Sequence, residues 1–190
     1  MSIIESIATR RTYYNINKEL PVKEEVVISA IERATELVPD AFNMKSAHVV
    51  VALGEKQEEL WNTIYNTFEG KVPREKIDGF KAGFGTILYF INEEKTAAMQ
   101  EQFALYAANF PVWANQANGM LQFTIWTALR ELGVGASLQH YNPVIDDAVK
   151  ALFDVPAHFK LVAQMPFGGI VAEPEEKHEE DISQRVVIAR

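Results

Sequence analysis

Apolar residues dominate one long stretch of the chain, from 102 to 129, which holds no Asp, Glu, Lys or Arg. Its second part, from Asn115 to Leu132, places apolar residues on nearly every face of a predicted helix. Such a helix has to be covered almost all round, so we expect a central helix packed inside the domain or against a second subunit. The stretch is long enough to span a membrane, but Pro111 and several Asn and Gln residues interrupt it, which favours a buried helix of a soluble protein.

Three neutral polar residues of this helix, Asn115, Asn118 and Gln122, recur at helical spacing. They are placed to form a hydrogen-bonding stripe along one side of the helix. A simpler interpretation is a set of buried amides whose hydrogen bonds are all satisfied. The sequence leaves both interpretations open.

The start of the chain has the spacing of a capping box, with Ser2 as the N-cap and Glu5 at the third helical position. This spacing predicts a short helix whose apolar residues, Ile3, Ile4 and Ile7, face inward. Directly after it the chain passes through Arg10-Arg11-Thr12 and turns away.

Apolar residues at three- and four-residue spacing predict further helices on both sides of the central one. Pro21 opens one helix and Pro39 helps to end it, while others cover 60–68, 76–83 and 96–110. Pro111 is expected to separate the last of these from the central helix. Beyond the central helix, Asn142-Pro143 is a candidate N-cap with proline at the first helical position.

Runs of β-branched and aromatic residues predict four short strands, at 48–53, 86–91, 159–167 and 184–190. Helices dominate, and most connections are too long for simple hairpins, so the predicted fold class is α+β. A chain of 190 residues builds one sizeable core, and we therefore expect a single domain spanning 1–190.

Composition narrows the functional classes. The net charge of −8 argues against nucleic-acid binding and against anionic membranes, since both need a basic face. The chain has no cysteine, which excludes disulfides, thiolate metal sites and a cysteine nucleophile. No export signal is visible at the N-terminus, so the cytoplasm is the expected compartment.

The pair Arg10-Arg11 followed by Thr12 is the clearest candidate for a binding site. Arginine binds phosphate in a bidentate fork and threonine adds a hydroxyl, so the group is a plausible phosphate clamp. The alternative is a solvated pair of surface arginines.

Motifs for other chemistry are missing from the sequence. The four histidines, His48, His140, His158 and His178, show no metal-ligand spacing, and Ser137 lacks the second glycine of a nucleophile elbow. Neither a dinucleotide-binding GxGxxG after the first strand nor a P-loop is present. Few groups suited to acid–base or nucleophilic work remain, which is typical of enzymes whose chemistry is carried by a bound cofactor.

Several segments in the right order resemble the FMN-dependent NAD(P)H nitroreductase family. They are Arg10-Arg11-Thr12, the segment 41–47, the long central helix ending in Gly133-Val-Gly135-Ala-Ser137-Leu138, and Arg185 near the C-terminus. The segments 135–143 and 165–170 resemble a short branch of that family, typified by the yeast fatty-acid-repression protein and related bacterial nitroreductases. The resemblance covers most of the chain.

This resemblance implies a nitroreductase-like fold, with a central and mostly antiparallel sheet flanked by helices. It also implies a homodimer with FMN at the subunit interface and the long helix as the dimer core. By analogy Arg10, Arg11 and Arg185 would hold the FMN phosphate, with Thr12 close by. Asn43 and Ser46 would reach the flavin from the other subunit, and Ala136, Ser137 and Leu138 would line one flavin face.

The implied reaction is ping-pong hydride transfer from NADPH or NADH, through flavin N5, to a nitroaromatic or quinone. Lys81 is the nearest candidate for a basic side chain at the flavin N1–O2 edge, where it would stabilise the reduced flavin electrostatically. No side chain is assigned as a nucleophile or general base, and no metal is implied. The segment between the central helix and Pro166 is short, so a lid found in larger relatives is expected to be missing.

Two other functions fit the same residues. In the first alternative the chain is a flavin-binding regulator or sensor, for instance one linked to lipid metabolism, in which turnover is incidental. In the second it is a helical dimerisation module, and the arginine pair is only a pair of surface residues. Flavin binding separates the last from the other two, and turnover with an acceptor separates enzyme from sensor.

Overall fold

A computed structural model describes residues 2–177 and 180–190, so His178 lies outside the described residues. Its helices are α1 (Ile3–Thr9), α2 (Glu24–Leu37), α3 (Glu55–Thr67), α4 (Arg74–Lys81), α5 (Glu93–Gln102), α6 (Phe110–Glu131) and α7 (Asp146–Leu152). Its strands are β1 (Ile16–Asn17), β2 (Ala47–Leu53), β3 (Gly85–Asn92), β4 (Val134–Ala136) and β5 (Phe159–Ile170). Short 3₁₀ turns cover Ala41–Asn43, Ala104–Asn109 and Ile182–Gln184. The predicted α+β class is confirmed.

The strands form one antiparallel sheet in the order β1-β5-β3-β2, with β4 also paired to β5. Strand β3 is buried on both faces, and its alternate side chains enter two different cores. Ile87 and Tyr89 pack with α2 and α6, whereas Leu88 and Phe90 pack with α3, α4 and α7. The continuous apolar run of β3 follows from helices that cover both faces of the sheet.

Helix α6 is the predicted central helix, but it begins at Phe110 rather than after Pro111. Proline is tolerated in the first turn of a helix, because the amide it lacks would have no partner there. In the single chain only one face of α6 is buried. The opposite face leaves Val112, Met120 and Phe123 between 40% and 53% exposed.

The amides of α6 divide into two groups. Asn118 donates to the carbonyl oxygen of Phe90 at 3.0 Å, and Gln122 donates to the amide oxygen of Asn118 at 2.7 Å. Both residues are buried; the bond from Asn118 ties α6 to β3, and the bond from Gln122 holds the Asn118 side chain. Asn115 is exposed and bonds to its own helix, so the predicted three-residue stripe is wrong at that position.

The capping box at the start of α1 is confirmed, but the inward face of this helix differs from the prediction. Ile3 and Ile4 are 75% and 69% exposed, and Ser6 is the buried residue. The Ser6 hydroxyl donates to the carboxylate of Glu131 at the end of α6. This contact turns the polar side of α1 toward α6 and leaves the isoleucines outside.

The predicted helix start at Asn142-Pro143 is wrong. Helix α7 begins at Asp146. The side chain of Asn142 bridges the helix and the sheet: its amide nitrogen donates to Asp146 at 2.9 Å and to the Leu161 carbonyl at 3.0 Å, and its oxygen accepts from Gln164 at 2.9 Å. The prediction that Pro21 opens a helix is wrong as well, because α2 begins at Glu24, three residues later.

The predicted last strand at 184–190 is also wrong. After the 3₁₀ turn Ile182–Gln184 the described chain is irregular, and Val186, Val187 and Ile188 are 56% to 87% exposed. Strand propensity needs a neighbouring strand to act on, and no described strand pairs with this segment. In the part of the chain that the structure describes, none of the helices has the length and apolar character needed to cross a membrane.

Gly168 in β5 allows a close crossing of the backbone and provides a test of the fold. A Cβ atom at Gly168 would overlap the Asn17 carbonyl oxygen and lie 2.9 Å from the Phe84 amide nitrogen. We expect Gly168→Ala to lower the free energy of unfolding by about 1–3 kcal/mol in urea denaturation. The matched control is Gly79→Ala in α4, where a Cβ meets nothing within 4 Å, and we expect it to raise stability by about 0.5–1 kcal/mol. Equal effects of the two changes would contradict this packing.

Candidate functional site

The predicted phosphate clamp and the strip 136–138 meet at one corner of the molecule. The Tyr13 amide donates to the carbonyl oxygen of Ala136 at 3.0 Å, directly after Arg10-Arg11-Thr12. The indole nitrogen of Trp126 in α6 donates to the same oxygen at 3.1 Å. We call the surface formed by Arg10, Arg11 and Thr12 beside Ala136 the arginine corner.

Arg10 is half-buried in the arginine corner, and aromatic rings hold its guanidinium. The guanidinium carbon lies 4.2 Å from the centroid of the Trp126 ring and 6.0 Å from that of Phe123. Its Nε atom is buried and has no hydrogen-bond partner among the residues that the structure describes. Burial, and then the nearby charge of Arg11, lower the pKa of Arg10, but an arginine still keeps its charge.

The second arginine adds a like charge, and no described carboxylate balances it. Arg11 donates to the backbone carbonyl of Glu175. Among the described residues, neither Arg10 nor Arg11 forms an ion pair. Two adjacent guanidinium groups, with one buried donor unused, are what a multiply charged anion such as phosphate would complete. The residues present therefore fit a phosphate group.

Three residues that the sequence did not point to shape the corner: Tyr13, Trp126 and Arg130. The Nε atom of Arg130 donates to the carbonyl oxygen of Thr9 at 3.2 Å, and its guanidinium lies 5.5 Å from the Tyr13 ring centroid. The Tyr13 hydroxyl donates to Glu173 at 3.0 Å, and burial, then this bond, raise the Tyr13 pKa. Trp126 and Arg130 lie more than 100 residues from Arg10, so no local signal could have found them.

The strip 136–138 is fixed by hydrogen bonds from both sides. The backbone amide of Ser137 donates to the Pro166 carbonyl at 3.2 Å. The Ser137 hydroxyl accepts from the side-chain amide of Gln139 at 3.0 Å. Ala136 and Ser137 are buried, and Leu138 is half-buried. The strip is therefore a rigid edge beside the arginine corner.

Asn43 and Ser46, the residues expected to act from the other subunit, lie at the opposite end of α6 from the arginine corner. The 41–46 loop packs near Phe110 and Trp113 at the start of α6, whereas Arg10 packs on Trp126 near its end. At about 1.5 Å per residue, Trp113 and Trp126 are roughly 20 Å apart along the helix axis. One chain does not bring the two groups together.

Ser46 is buried, and both its amide and its hydroxyl donate to one carboxylate oxygen of Asp40, each at 2.7 Å. Asn43 is exposed and has a left-handed backbone, with φ of 53°. The loop therefore presents Asn43 to solvent, while Ser46 holds the loop in place.

The two remaining basic candidates contact carboxylates in the single chain. Lys81 lies 3.3 Å from Asp78 and 3.4 Å from the amide oxygen of Asn62. Arg185 is exposed and pairs with Glu180 at 2.7 Å. Their predicted flavin contacts stay predictions.

A cavity of about 860 Å³ lies between α2 and β2, and its lining includes Asn43, Ile31 and Val49. Neither the arginine corner nor the strip 136–138 contributes to it. This cavity is thus a different surface from the arginine corner. The arginine corner, whose charges and buried donor have no partner among the described residues, is the surface with a defined ligand chemistry.

Comparison with known proteins identifies the family of the chain. The model of the Nitroreductase family matches residues 7–169. The chain is 31% identical to nitroreductase FRM2 of Saccharomyces cerevisiae over 92% of this chain and 91% of the relative. It is similar in structure to nitroreductase CinD from Lactococcus lactis, solved with chloramphenicol (TM-score 0.95) and with 4-nitrophenol (TM-score 0.91). Both comparisons give 42% identity and cover 100% of each chain. The matched family segment includes the arginine corner and the strip 136–138, and the chain belongs to the Nitroreductase family.

Proposed function

We propose that this nitroreductase is a homodimeric flavoprotein that binds FMN and passes electrons from NAD(P)H to nitroaromatic or quinone acceptors. The observation that carries the proposal is the buried Nε of Arg10, which has no partner among the described residues, beside the charge of Arg11, which no described carboxylate pairs. Family membership supports the oxidoreductase class. CinD forms complexes with chloramphenicol and 4-nitrophenol, two nitroaromatic molecules, which supports that acceptor class.

The arginine corner would hold the phosphate end of FMN. Arg10 and Arg11 supply two positive charges and several donors, and Thr12 adds a hydroxyl close to them. Trp126 fixes the plane of the Arg10 guanidinium by stacking at 4.2 Å, so little side-chain entropy is lost when the anion binds.

The strip 136–138 would lie against the flat part of the cofactor. It is rigid because Ala136, Ser137 and Gln139 are all hydrogen-bonded to neighbouring segments. Bound FMN would accept hydride from NAD(P)H and then reduce the acceptor in a ping-pong cycle. The chain's residues would hold and orient the cofactor, and Lys81 stays the candidate for stabilising negative charge at its edge.

A second copy of the chain would complete the site. The 41–46 loop lies at the far end of α6, so in a homodimer its exposed Asn43 would reach the cofactor held by the partner, while the buried Ser46 would contribute by holding the loop. The exposed apolar face of α6, with Val112, Met120 and Phe123, is the surface we propose as the dimer core. A helix face this apolar is normally covered.

The visible absorption spectrum tests the cofactor and the reaction together. We expect the purified protein to have flavin bands that bleach with NADH or NADPH under anaerobic conditions and return when a nitroaromatic or quinone is added. Flavin bands that resist bleaching would favour the regulatory alternative. A protein that neither contains nor takes up FMN would contradict the proposal.

The phosphate assignment predicts that Arg10→Ala and Arg11→Ala each weaken FMN binding. A charge-assisted contact to phosphate is worth about 1.5–3 kcal/mol, which corresponds to about 10- to 150-fold in Kd. The measurement is fluorescence titration of flavin-free protein with FMN. Arg33→Ala is the matched control, because Arg33 is an exposed arginine of α2 paired with Glu36. Unchanged FMN affinity in both corner variants would argue against the assignment.

The dimer assignment predicts that Met120→Glu converts the protein to monomers, because a carboxylate placed in an apolar interface stays desolvated and unpaired. Val144→Glu is the control, since Val144 is 52% exposed but lies outside α6. Light scattering after size-exclusion chromatography measures the mass of each variant. A dimeric Met120→Glu protein would place the interface elsewhere.

A further inference from the structure

Five aromatic rings gather where the 41–46 loop meets the start of α6, and we call them the Phe42 cluster: Phe42, Phe103, Tyr106, Phe110 and Trp113. The ring of Phe42 is central, with centroid distances of 4.8 Å to Phe103, 5.3 Å to Phe110 and 5.9 Å to Trp113. Its plane is inclined by only 21° to that of Trp113. The Phe42–Trp113 pair is stacked and the other pairs are tilted or edge-to-face, so the cluster is a packed group of rings rather than scattered surface residues.

The cluster is open on one side. Phe110 is fully buried, but Phe42 is 50% exposed and Tyr106 is 44% exposed. Half of the Phe42 surface is therefore free to contact a further ring. Aromatic pairs prefer offset-stacked or edge-to-face contacts at centroid distances of about 4.5–7 Å, the range already found within the cluster.

The backbone holds Phe42 in an unusual conformation. Phe42, Asn43 and Lys45 have φ between 50° and 53°, the left-handed region that bulky residues rarely adopt. Strained backbone of this kind persists only where the surroundings fix it, and it concentrates at functional sites. Here the Asp40 carboxylate binds Ser46 on one side, and the Lys95 ammonium donates to the Lys45 carbonyl at 2.8 Å.

We propose that the exposed face of the Phe42 ring is the surface on which flat, electron-poor aromatic acceptors stack. This rests on the proposed function, because Asn43, the next residue, is the predicted contact to the partner's cofactor. An acceptor stacked on Phe42 would thus lie beside the group that reduces it. Nitroaromatic rings are electron-poor, and the faces of phenylalanine rings carry negative potential, so the two attract.

Isothermal titration calorimetry with 4-nitrophenol tests the proposal on the oxidised, FMN-loaded protein, with no NAD(P)H present. Phe42→Leu removes the ring but keeps apolar bulk, and we expect it to raise the Kd for 4-nitrophenol about 3- to 10-fold. Phe42→Tyr keeps the ring and should bind within about twofold of wild type. Tyr65→Leu is the remote aromatic control, since that ring packs against Arg74 and not against the cluster.

Two further measurements separate stacking from other roles of Phe42. Titration of flavin-free protein with FMN should give the same Kd, within about twofold, for wild type and Phe42→Leu. Light scattering should give the same mass for both. Loss of FMN affinity equal to the loss for 4-nitrophenol would assign Phe42 to the cofactor, and a monomeric variant would assign it to the subunit interface. Either result overturns the proposal.

Equal binding of 4-nitrophenol by wild type and Phe42→Leu would also overturn it, as would a wild-type protein that holds FMN but does not bind 4-nitrophenol. In the first case wild type binds both FMN and the acceptor, so the proposed function stands. In the second case the FMN site stands, and the nitroaromatic acceptor class falls. A wild-type protein that does not bind FMN fails at the proposed function itself, and the stacking proposal falls with it.

Discussion

The carbonyl oxygen of Ala136 accepts hydrogen bonds from the Tyr13 amide and the Trp126 indole, and the arginine corner depends on this contact. It fastens the segment after α1 to β4 and sets α6 beside both. Because Trp126 is held there, its ring face is available to Arg10, whose guanidinium carbon lies 4.2 Å from the ring centroid. One acceptor atom thereby connects the central helix, the sheet and the charged residues that we assign to phosphate.

The corner is an electrostatic exception within an acidic chain. The protein carries a net charge of −8, yet Arg10 and Arg11 lie together with no carboxylate paired to either among the described residues. Partial burial of like charges costs free energy, which the pKa of Arg10 reflects by its downward shift. An anion that binds both guanidinium groups relieves that cost. The repulsion between the two charges in the free chain therefore adds to the affinity for an anion.

Helix α6 is the reason that the function we propose requires a second subunit. Its length separates the arginine corner from the Phe42 cluster by roughly 20 Å, so in our proposal a single chain presents two incomplete halves of a site. Its buried face is tied to the sheet through Asn118, while its other face exposes apolar side chains. In the dimer that we propose, the same helix supplies the interface and carries one half-site at each end, so assembly and cofactor binding are linked.

The sequence by itself determined what local patterns control: the capping box of α1, the extents of β2 and β3, the α+β class, and the motifs at 10–12 and 133–138 that indicate the family. Tertiary structure decided which helix faces are inward and which groups the Asn142 side chain binds. It also decided that 184–190 forms no strand in the described chain. The packing likewise placed the Arg10 guanidinium over the Trp126 ring and brought four aromatic rings into contact with Phe42. The physical reason is that spacing and capping act within a few residues, whereas these contacts join segments far apart in the chain and form only when the helices pack on the sheet.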